Sequence, residues 1–443
     1  MPTTIGSLPN EVLGNIFTFC ATYCADAPLI LPAVSRSFYL VAHGTPRAWS
    51  KLRLGPRKGD KTSEQYLVRK AELWFARAGH CSLDLFVDLT MVDAEENTRF
   101  LTLTGLLSSH RPRIQTLNVQ SNTELKGYEF LDAVYHNHSS TSSSLQSLRI
   151  RITSDIPDTV PATWSPVFNS FDMFPALQSL KLTNHILPAS PISNLSHLRT
   201  LTIFRPLRAH PLPAVKITTL LESAPMLERL EIDSRVGVDR ARHPIELNSL
   251  RELVLRTNNL PFVLSLINPG AELDELRLTD LDGRRRDAAV ELGIALEAKD
   301  SGVFTNLGLV EVSAVSFPSN DATEAVWSEI VGRMSDPRGF RITNSFGGDV
   351  ETLALRLMEE AEDLAIRRPD TRRKRHSPDR SKEVERSFIS GRDDREAQAS
   401  TMSMSTQRPG GFGFGSSFHL AIQDFTAPKV EWTPALNDVD SAW

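Results

Sequence analysis

Three cysteines in 443 residues are too few for a disulfide framework. Their scarcity fits a reduced, intracellular compartment, cytoplasmic or nuclear. The opening Met1-Pro2-Thr3-Thr4-Ile5 has none of the basic residues that begin a secretory signal. No long hydrophobic run is present. The most apolar region, Ile16 to Val34, is broken by Asp26, Pro28 and Pro32 and is amphipathic, so it does not read as a membrane span. Neither sign of charge dominates. A net charge of −5 argues against chain-wide attraction to nucleic acid or to a membrane surface.

Catalytic signatures are missing as well. There is no Gly-x-x-x-x-Gly-Lys-Ser/Thr loop. Gly410 to Gly415 superficially suggests a dinucleotide fingerprint, but no strand precedes it and no helix follows. Cys20 and Cys24 lie one helical turn apart, half of a metal site that only folding brings to His43, His80 or Cys81; they read as structural thiols. His136-Asn137-His138 has no acidic or thiol partner nearby and reads as a surface turn. No Ser or Cys stands in a nucleophile setting with a placed base. The expectation is a chain without catalytic residues, metal or cofactor.

What the chain does have begins at its N-terminus. Ser7 can cap a first helix, in which Pro9 fits because the opening N–H groups lack intrahelical partners. Val12, Leu13, Ile16, Phe17 and Cys20 then form an apolar face at helical spacing. Asp26 with Pro28, and then Pro32, mark further starts. Val34, Phe38, Val41 and Ala42 give a second face that Gly44 ends. A few short helices over about the first 50 residues bury too little to be strongly stable alone, so this unit is expected to dock on something.

With 40% apolar residues the remainder can form a large core. Lys51 to Leu54 alternates like a strand, Thr62 to Ala78 reads as a helix, and Leu83, Leu85 and Val87 alternate in another strand. From there the motif apolar-x-x-apolar-x-apolar recurs. Its copies are Ile114/Leu117/Val119, Leu145/Leu148/Ile150, Leu177/Leu180/Leu182, Leu198/Leu201/Ile203, Leu227/Leu230/Ile232, Leu250/Leu253/Leu255, Leu273/Leu276/Leu278 and Leu307/Val310/Val312. That is about eight copies, at irregular steps of about 21 to about 34 residues. Helix-like stretches lie between them: Phe100 to Ser108, Phe130 to His136, Ile217 to Ala224, Phe262 to Ile267 and Ala288 to Leu296. The last two apolar positions, two apart, point to one side of a strand, and the first sits where the chain turns in. No unit covers its apolar face alone, whereas parallel stacking buries a continuous core with helices outside. A doubly wound α/β domain is the alternative. Ser139 to Ser144 and Ile156 to Pro166 read as loops.

A helix is expected over Asp321 to Val331 and another over Asp349 to Arg367. In the latter Val350, Leu353, Leu357, Ala361 and Leu364 make the apolar stripe of a closing cap or of a partner-binding helix. Residues 368–443 lack apolar periodicity and are expected to be disordered. Arg372-Arg373-Lys374-Arg375 is a candidate nuclear signal or a solvated basic linker, and Ser377-Pro378 a candidate phosphorylation site beside it.

The N-terminal residues resemble the F-box. Leu8, Pro9, Glu11, Val12, Leu13, Ile16 and Phe17 fit its first part, Val34, Arg36 and Phe38 its second, and Trp49 its end. Ser35 stands where Cys is usual and Ala48 where Leu is usual. The repeats resemble the irregular leucine-rich-repeat horseshoe of many F-box proteins, with Asn122, Asn184 and Asn258 near the family's Asn position and other copies lacking it. The helix of Trp74 followed by Gly79-His80-Cys81-Ser82-Leu83-Asp84-Leu85 resembles fungal members in particular.

The resemblance implies an α/β chain in four parts: an F-box-like module over 1–54, a repeat solenoid over 55–348, a capping helix over 349–367, and a disordered tail. It further implies the substrate receptor of an SCF-type ubiquitin ligase, a monomer within a hetero-complex. Leu8, Pro9, Glu11, Val12, Ile16, Phe17, Val34, Arg36, Phe38 and Trp49 would bind the adaptor and through it a cullin. The repeats would bind a protein substrate, with no nucleic acid or membrane partner. On the concave side Arg229 is expected beside Glu252 and Asp233 beside Arg256 as a charge ladder, with Glu231, Glu275 and Arg277 nearby. Arg149, Arg151 and Lys181, with Phe204 as an aromatic anchor, form either part of that ladder or a patch for an acidic or phosphorylated segment. A repeat-based scaffold outside any ligase is the alternative function.

Overall fold

A computed structural model describes residues 5, 8–55, 64–90, 101–135, 143–153, 174–184, 195–206, 210–238, 243–270, 273–282, 285, 287–299, 307–318, 321–334, 336–345, 352–357 and 359. Contacts divide the chain into Met1–Thr371 and Arg372–Trp443, and every described residue lies in the first unit. The loop expected over 156–166, the turn at 136–138, the basic cluster and the tail lie outside the described residues.

The N-terminal segment forms three helices, α1 (Asn10–Tyr23), α2 (Ala27–Ile30) and α3 (Arg36–His43). Their ends follow the local chemistry. Pro9 precedes the first turn of α1. Asp26 and Pro28 start α2, and Pro32 sits in the 3₁₀ turn Leu31–Ala33. Ser35 Oγ accepts the Phe38 N–H at 3.1 Å, and the Gly44 N–H reaches Leu40 O at 2.9 Å to close α3. A 3₁₀ turn, Pro46–Trp49, leads into the first strand.

The rest is a mixed α/β fold built on one large parallel sheet with flanking helices. The strands are β1 (Lys51–Leu54), β2 (Leu83–Asp88), β3 (Ile114–Ser121), β4 (Ser147–Ile152), β5 (Ser179–Thr183), β6 (Thr200–Phe204), β7 (Leu212–Pro213), β8 (Arg229–Asp233), β9 (Val236–Gly237), β10 (Ile245–Leu247), β11 (Glu252–Thr257), β12 (Ile267–Pro269), β13 (Glu275–Asp280), β14 (Leu309–Ser313) and β15 (Phe340–Thr343). Eleven of them pair side by side in chain order, β1-β2-β3-β4-β5-β6-β8-β11-β13-β14-β15. The short pairs β7–β9 and β10–β12 are also parallel. The helices are α4 (Glu64–Ala78), α5 (Leu101–Ser109), α6 (Glu124–Tyr135), α7 (Ala214–Glu222), α8 (Leu260–Leu266), α9 (Ala288–Glu297) and α10 (Asp321–Arg333).

Register explains the repeat. Leu52, Leu85, Leu117, Leu148, Leu180, Leu201, Leu230, Leu253, Leu276, Val310 and Phe340 pair in one row across the sheet, all buried. The residues two later form a second row, from Leu54 and Val87 to Val312 and Ile342. The first apolar residue of several copies closes a tight turn before its strand. The N–H groups of Leu177, Leu198, Leu227 and Leu250 reach the carbonyl three residues back at 3.0, 2.9, 3.2 and 3.1 Å. Those carbonyls belong to Phe174, Leu195, Ala224 and Leu247, all buried, so these four copies have a fourth apolar position that the motif did not include.

Two boundaries differ from expectation. The helix expected from Phe130 begins at Glu124, because Tyr128 and Phe130 share its buried side with Gly127. The repeat does not end at Val312: β15 adds a further strand, and in the 3₁₀ turn before it buried Pro337 takes the place of the usual Leu, three residues before Phe340. Of the C-terminal stripe, Leu353 and Leu357 are buried on a described helical stretch, and Arg356 pairs with Glu324 of α10 at 2.9 Å. Val350, Ala361 and Leu364 lie outside the described residues. One continuous hydrophobic cluster runs from Leu13 to Leu357.

Candidate functional site

Helix α1 is apolar on two sides. Leu13, Phe17 and Ala21, spaced four apart, are buried, and Gly14 packs beside them. Val12, Phe19 and Tyr23 fall about half a turn of rotation away and are exposed, with Ile16 half-buried between them. The Phe19 and Tyr23 rings meet edge-on at 4.9 Å while remaining 63% and 77% exposed. Leu29, Ile30, Val34, Tyr39 and Leu40 are exposed too, on α2, α3 and the turn between them. Burying such surface elsewhere would yield about 1.5–3 kcal/mol per large side chain. So much apolar surface on so short a segment makes this side of the helices the candidate interaction surface.

The opposite side of these helices is anchored. Phe17 packs on Phe38 with ring centroids 5.1 Å apart. Trp49 is 2% exposed, donates Nε1–H to Ala42 O at 2.7 Å, and meets Trp74 of α4 edge-on. Trp74 in turn donates Nε1–H to Lys51 O at 3.0 Å. Lys70 of α4 pairs with Asp26 at 2.7 Å, its ammonium lying over the Trp74 ring. The N-terminal helices therefore present their free side from a fixed base.

These positions divide the adaptor-contact residues expected from the sequence. Leu8, Pro9, Glu11, Val12, Val34 and Arg36 are exposed, and Ile16 is half-buried. Phe17, Phe38 and Trp49 are buried in the core, enclosed by the helices and by α4. The single apolar face expected over Val12, Leu13, Ile16, Phe17 and Cys20 is likewise two faces. Phe19, Tyr23, Leu29, Ile30, Tyr39 and Leu40 were missed. The signal for the α1 pair was present, since Phe19 and Tyr23 continue the Val12–Ile16 line at helical spacing.

The second surface is the face of the large sheet that points away from the core. Its residues alternate with the buried rows. From β8 to β14 opposite charges face one another across strands. Arg229 reaches Glu252 at 2.8 Å, Arg256 reaches Asp233 at 3.4 Å and Arg277 reaches Glu311 at 3.8 Å. Burial raises the Asp233 carboxyl above its usual range, Arg256 draws it back, and Glu231 adds to the rise. The ladder expected for these residues is thus present. On β4 and β5 the pairing is different: Arg149 lies in register with Lys181, and Arg151 with Thr183, which in turn faces Phe204.

A groove at the ends of the later strands, about 390 Å³, is lined by Arg256, Thr279, Asp280, Leu281, Ser313, Ala314 and Asn344. Ala314 and Asn344 turn there with φ of 58° and 51°. Thr279 and Ser313 hydroxyls bond to each other at 2.7 Å. The groove is lined by these hydroxyls, by Arg256, which pairs with Asp233, and by the Asp280 carboxyl. Among the described residues no group of three His, Cys, Asp or Glu is placed to hold a metal, and no helix is long and apolar enough to cross a membrane. Compared with known proteins, the chain matches no family model, and no curated protein matches it.

Proposed function

We propose that this chain is the substrate receptor of an SCF-type ubiquitin ligase, its N-terminal helices holding the adaptor subunit and its sheet face holding the protein to be modified. One observation carries the reading: α1 buries Leu13, Phe17 and Ala21 while leaving Val12, Phe19 and Tyr23 in water, on the segment that resembles the F-box. A helix that needs only its own core has no use for a second apolar stripe. The sheet supports the rest. Parallel strands neighbouring in chain order, with helices between them, suit a leucine-rich-repeat solenoid that offers one long face to a partner.

Catalysis in this reading is proximity. The receptor brings a substrate lysine to a conjugating enzyme that the ligase supplies, and contributes no nucleophile. The protein would act inside the cell, in cytoplasm or nucleus, with Arg372 to Arg375 as the nuclear signal.

Capture of the full chain by purified adaptor subunit tests the proposal. Wild type is compared with Leu8→Ala/Pro9→Ala and with Val12→Asp. Capture that both variants abolish without loss of fold supports the receptor. A folded wild-type chain that the adaptor does not capture would leave the protein as a repeat-based scaffold outside any ligase.

A further inference from the structure

On the inner side of the sheet, the layer where the strands end is polar. Past the two buried apolar rows stand Ser121, Ser234, Thr257 and Asp280, all buried. At this level β6 is followed by Arg205. It comes two residues after the inward Ile203, and its N–H donates to Asp233 O at 2.8 Å. Arg205 is 6% exposed, and its Nε is enclosed with no hydrogen-bond acceptor among the described residues. Two charged groups share this place: buried Glu124 acts on Arg205, and half-buried Lys216 feels both. Burial lowers the pKa of Arg205 and of Lys216. The Glu124 charge opposes both shifts, and Arg205 adds to that of Lys216. A guanidinium withdrawn from water with no acceptor at its Nε is unfavourable unless an anion completes the set.

Glu124 and Lys216 each stand in the first turn of a helix. Glu124 opens α6, whose start is capped by Thr123, its Oγ1 accepting the Lys126 N–H at 3.3 Å. Lys216 belongs to the first turn of α7, which begins after Pro213 with no side-chain cap. The positive ends of two helices therefore come to this cluster, one of them uncapped. Each end carries roughly half a charge, so Arg205, Lys216 and the two ends exceed Glu124 by roughly two positive charges. That excess matches one phosphate dianion, whose oxygens suit a helix N-terminus and a guanidinium together. A nucleic-acid strand would need cations in series on an open surface, and Arg205 is enclosed. We propose that Arg205, Lys216 and the start of α7 bind the phosphate of a small molecule, either inorganic phosphate or a phosphate monoester. The bound group would tie α6 and α7 to the end of β6, so occupancy is read as stability. The site lies on the opposite side of the sheet from the face assigned to the substrate, and it does not depend on the receptor reading.

The test is thermal unfolding of the full chain in phosphate-free buffer. Inorganic phosphate or glycerol phosphate is added, against chloride at equal ionic strength. The Tm of wild type should rise saturably, by about 3 °C or more once the added anion is about a hundredfold above its dissociation constant. Arg205→Met and Lys216→Met should each remove most of the shift. Arg229→Gln, on the outward face, should keep it. An effect of inorganic phosphate alone assigns the site to the free anion. An effect of glycerol phosphate that is as large or larger assigns it to a monoester, and either result supports the proposal. A rise no larger than that with chloride, or one that grows with salt without saturating, would overturn it. An undiminished shift in both folded variants would do the same. Should Arg205→Met fail to fold, Lys216→Met alone decides.

Discussion

Trp49 and Trp74 meet edge-on, their ring centroids 5.1 Å apart and their planes at 72°. Each indole N–H is bonded to a backbone carbonyl, so neither ring can turn without losing a buried hydrogen bond. The pair joins the last turn of the N-terminal helices to the first helix that covers the sheet. Helices too few to be stable alone thereby share a core with the rest of the chain. Trp49→Ala should cost about 3–5 kcal/mol in urea denaturation. A loss under about 1 kcal/mol would mean that the helices hang on the sheet without sharing its core.

Two neighbours on α3 separate core from surface. Phe38 is buried against Phe17, and Leu40 is 62% exposed. Phe38→Ala should destabilise by about 3–5 kcal/mol, and Leu40→Ser should change stability by less than about 0.5 kcal/mol. Thermal unfolding of the two variants distinguishes this division from a uniformly buried helix.

The charge ladder contributes order more than stability. Arg256 is half in water where it meets Asp233. Arg256→Gln should cost about 0–1 kcal/mol, and the cost should fade in high salt. A salt-independent loss of several kcal/mol would show that the pair is shielded from solvent.

Asp280 gives a pH signature. It is 4% exposed, and burial raises its carboxyl above the usual range, with the Asp282 N–H and Arg285 partly opposing the shift. A raised folded pKa means that the folded state holds the proton more tightly than the unfolded one. The stabilising contribution is therefore complete below the unfolded value near about 3.9 and is lost as pH rises through the folded value. Asn at this position keeps an acceptor for Asp282 and removes the charge. Asp280→Asn should be more stable than wild type at about pH 7, with the difference shrinking toward about pH 4. Denaturant midpoints across that range check the sign.

A Cβ at Gly339 would lie 1.8 Å from Gly308 O and 2.8 Å from its carbonyl carbon. Backbone cannot yield as a side chain can, so β15 must shift off β14. Gly339→Ala should cost at least about 1–3 kcal/mol. In hydrogen exchange, protection should fall first over Phe340–Thr343.

The repeat was legible because strand geometry leaves a mark in sequence. Leu148 and Ile150, or Leu253 and Leu255, are two apart because alternate residues of a strand share a face. Stacking then repeats the same pair in every copy, which also puts Arg229 beside Glu252. The last copy escaped notice because Pro337 stands where Leu was expected, although the Phe340–Ile342 spacing was intact. The fourth apolar position, at Leu195, Ala224 and Leu247, escaped because it belongs to the turn, where side-chain size varies.

The N-terminal surface was legible only as a set. Val12, Leu13, Ile16 and Phe17 are all apolar, and composition treats them alike. Their division depends on which side of α1 faces α3 and the Trp49 turn, a contact set by residues up to 32 positions further along.

The sequence by itself determined the local order of this protein. Short capped helices come first, then strands with two inward apolar residues each, in a chain that must stack to bury them. Only the tertiary structure decided which apolar residues remain in water and which cations face one another. Both depend on register and rotation between distant segments: a helix turned by half a turn exchanges its buried stripe for its exposed one, and a strand slipped by one residue exchanges its faces.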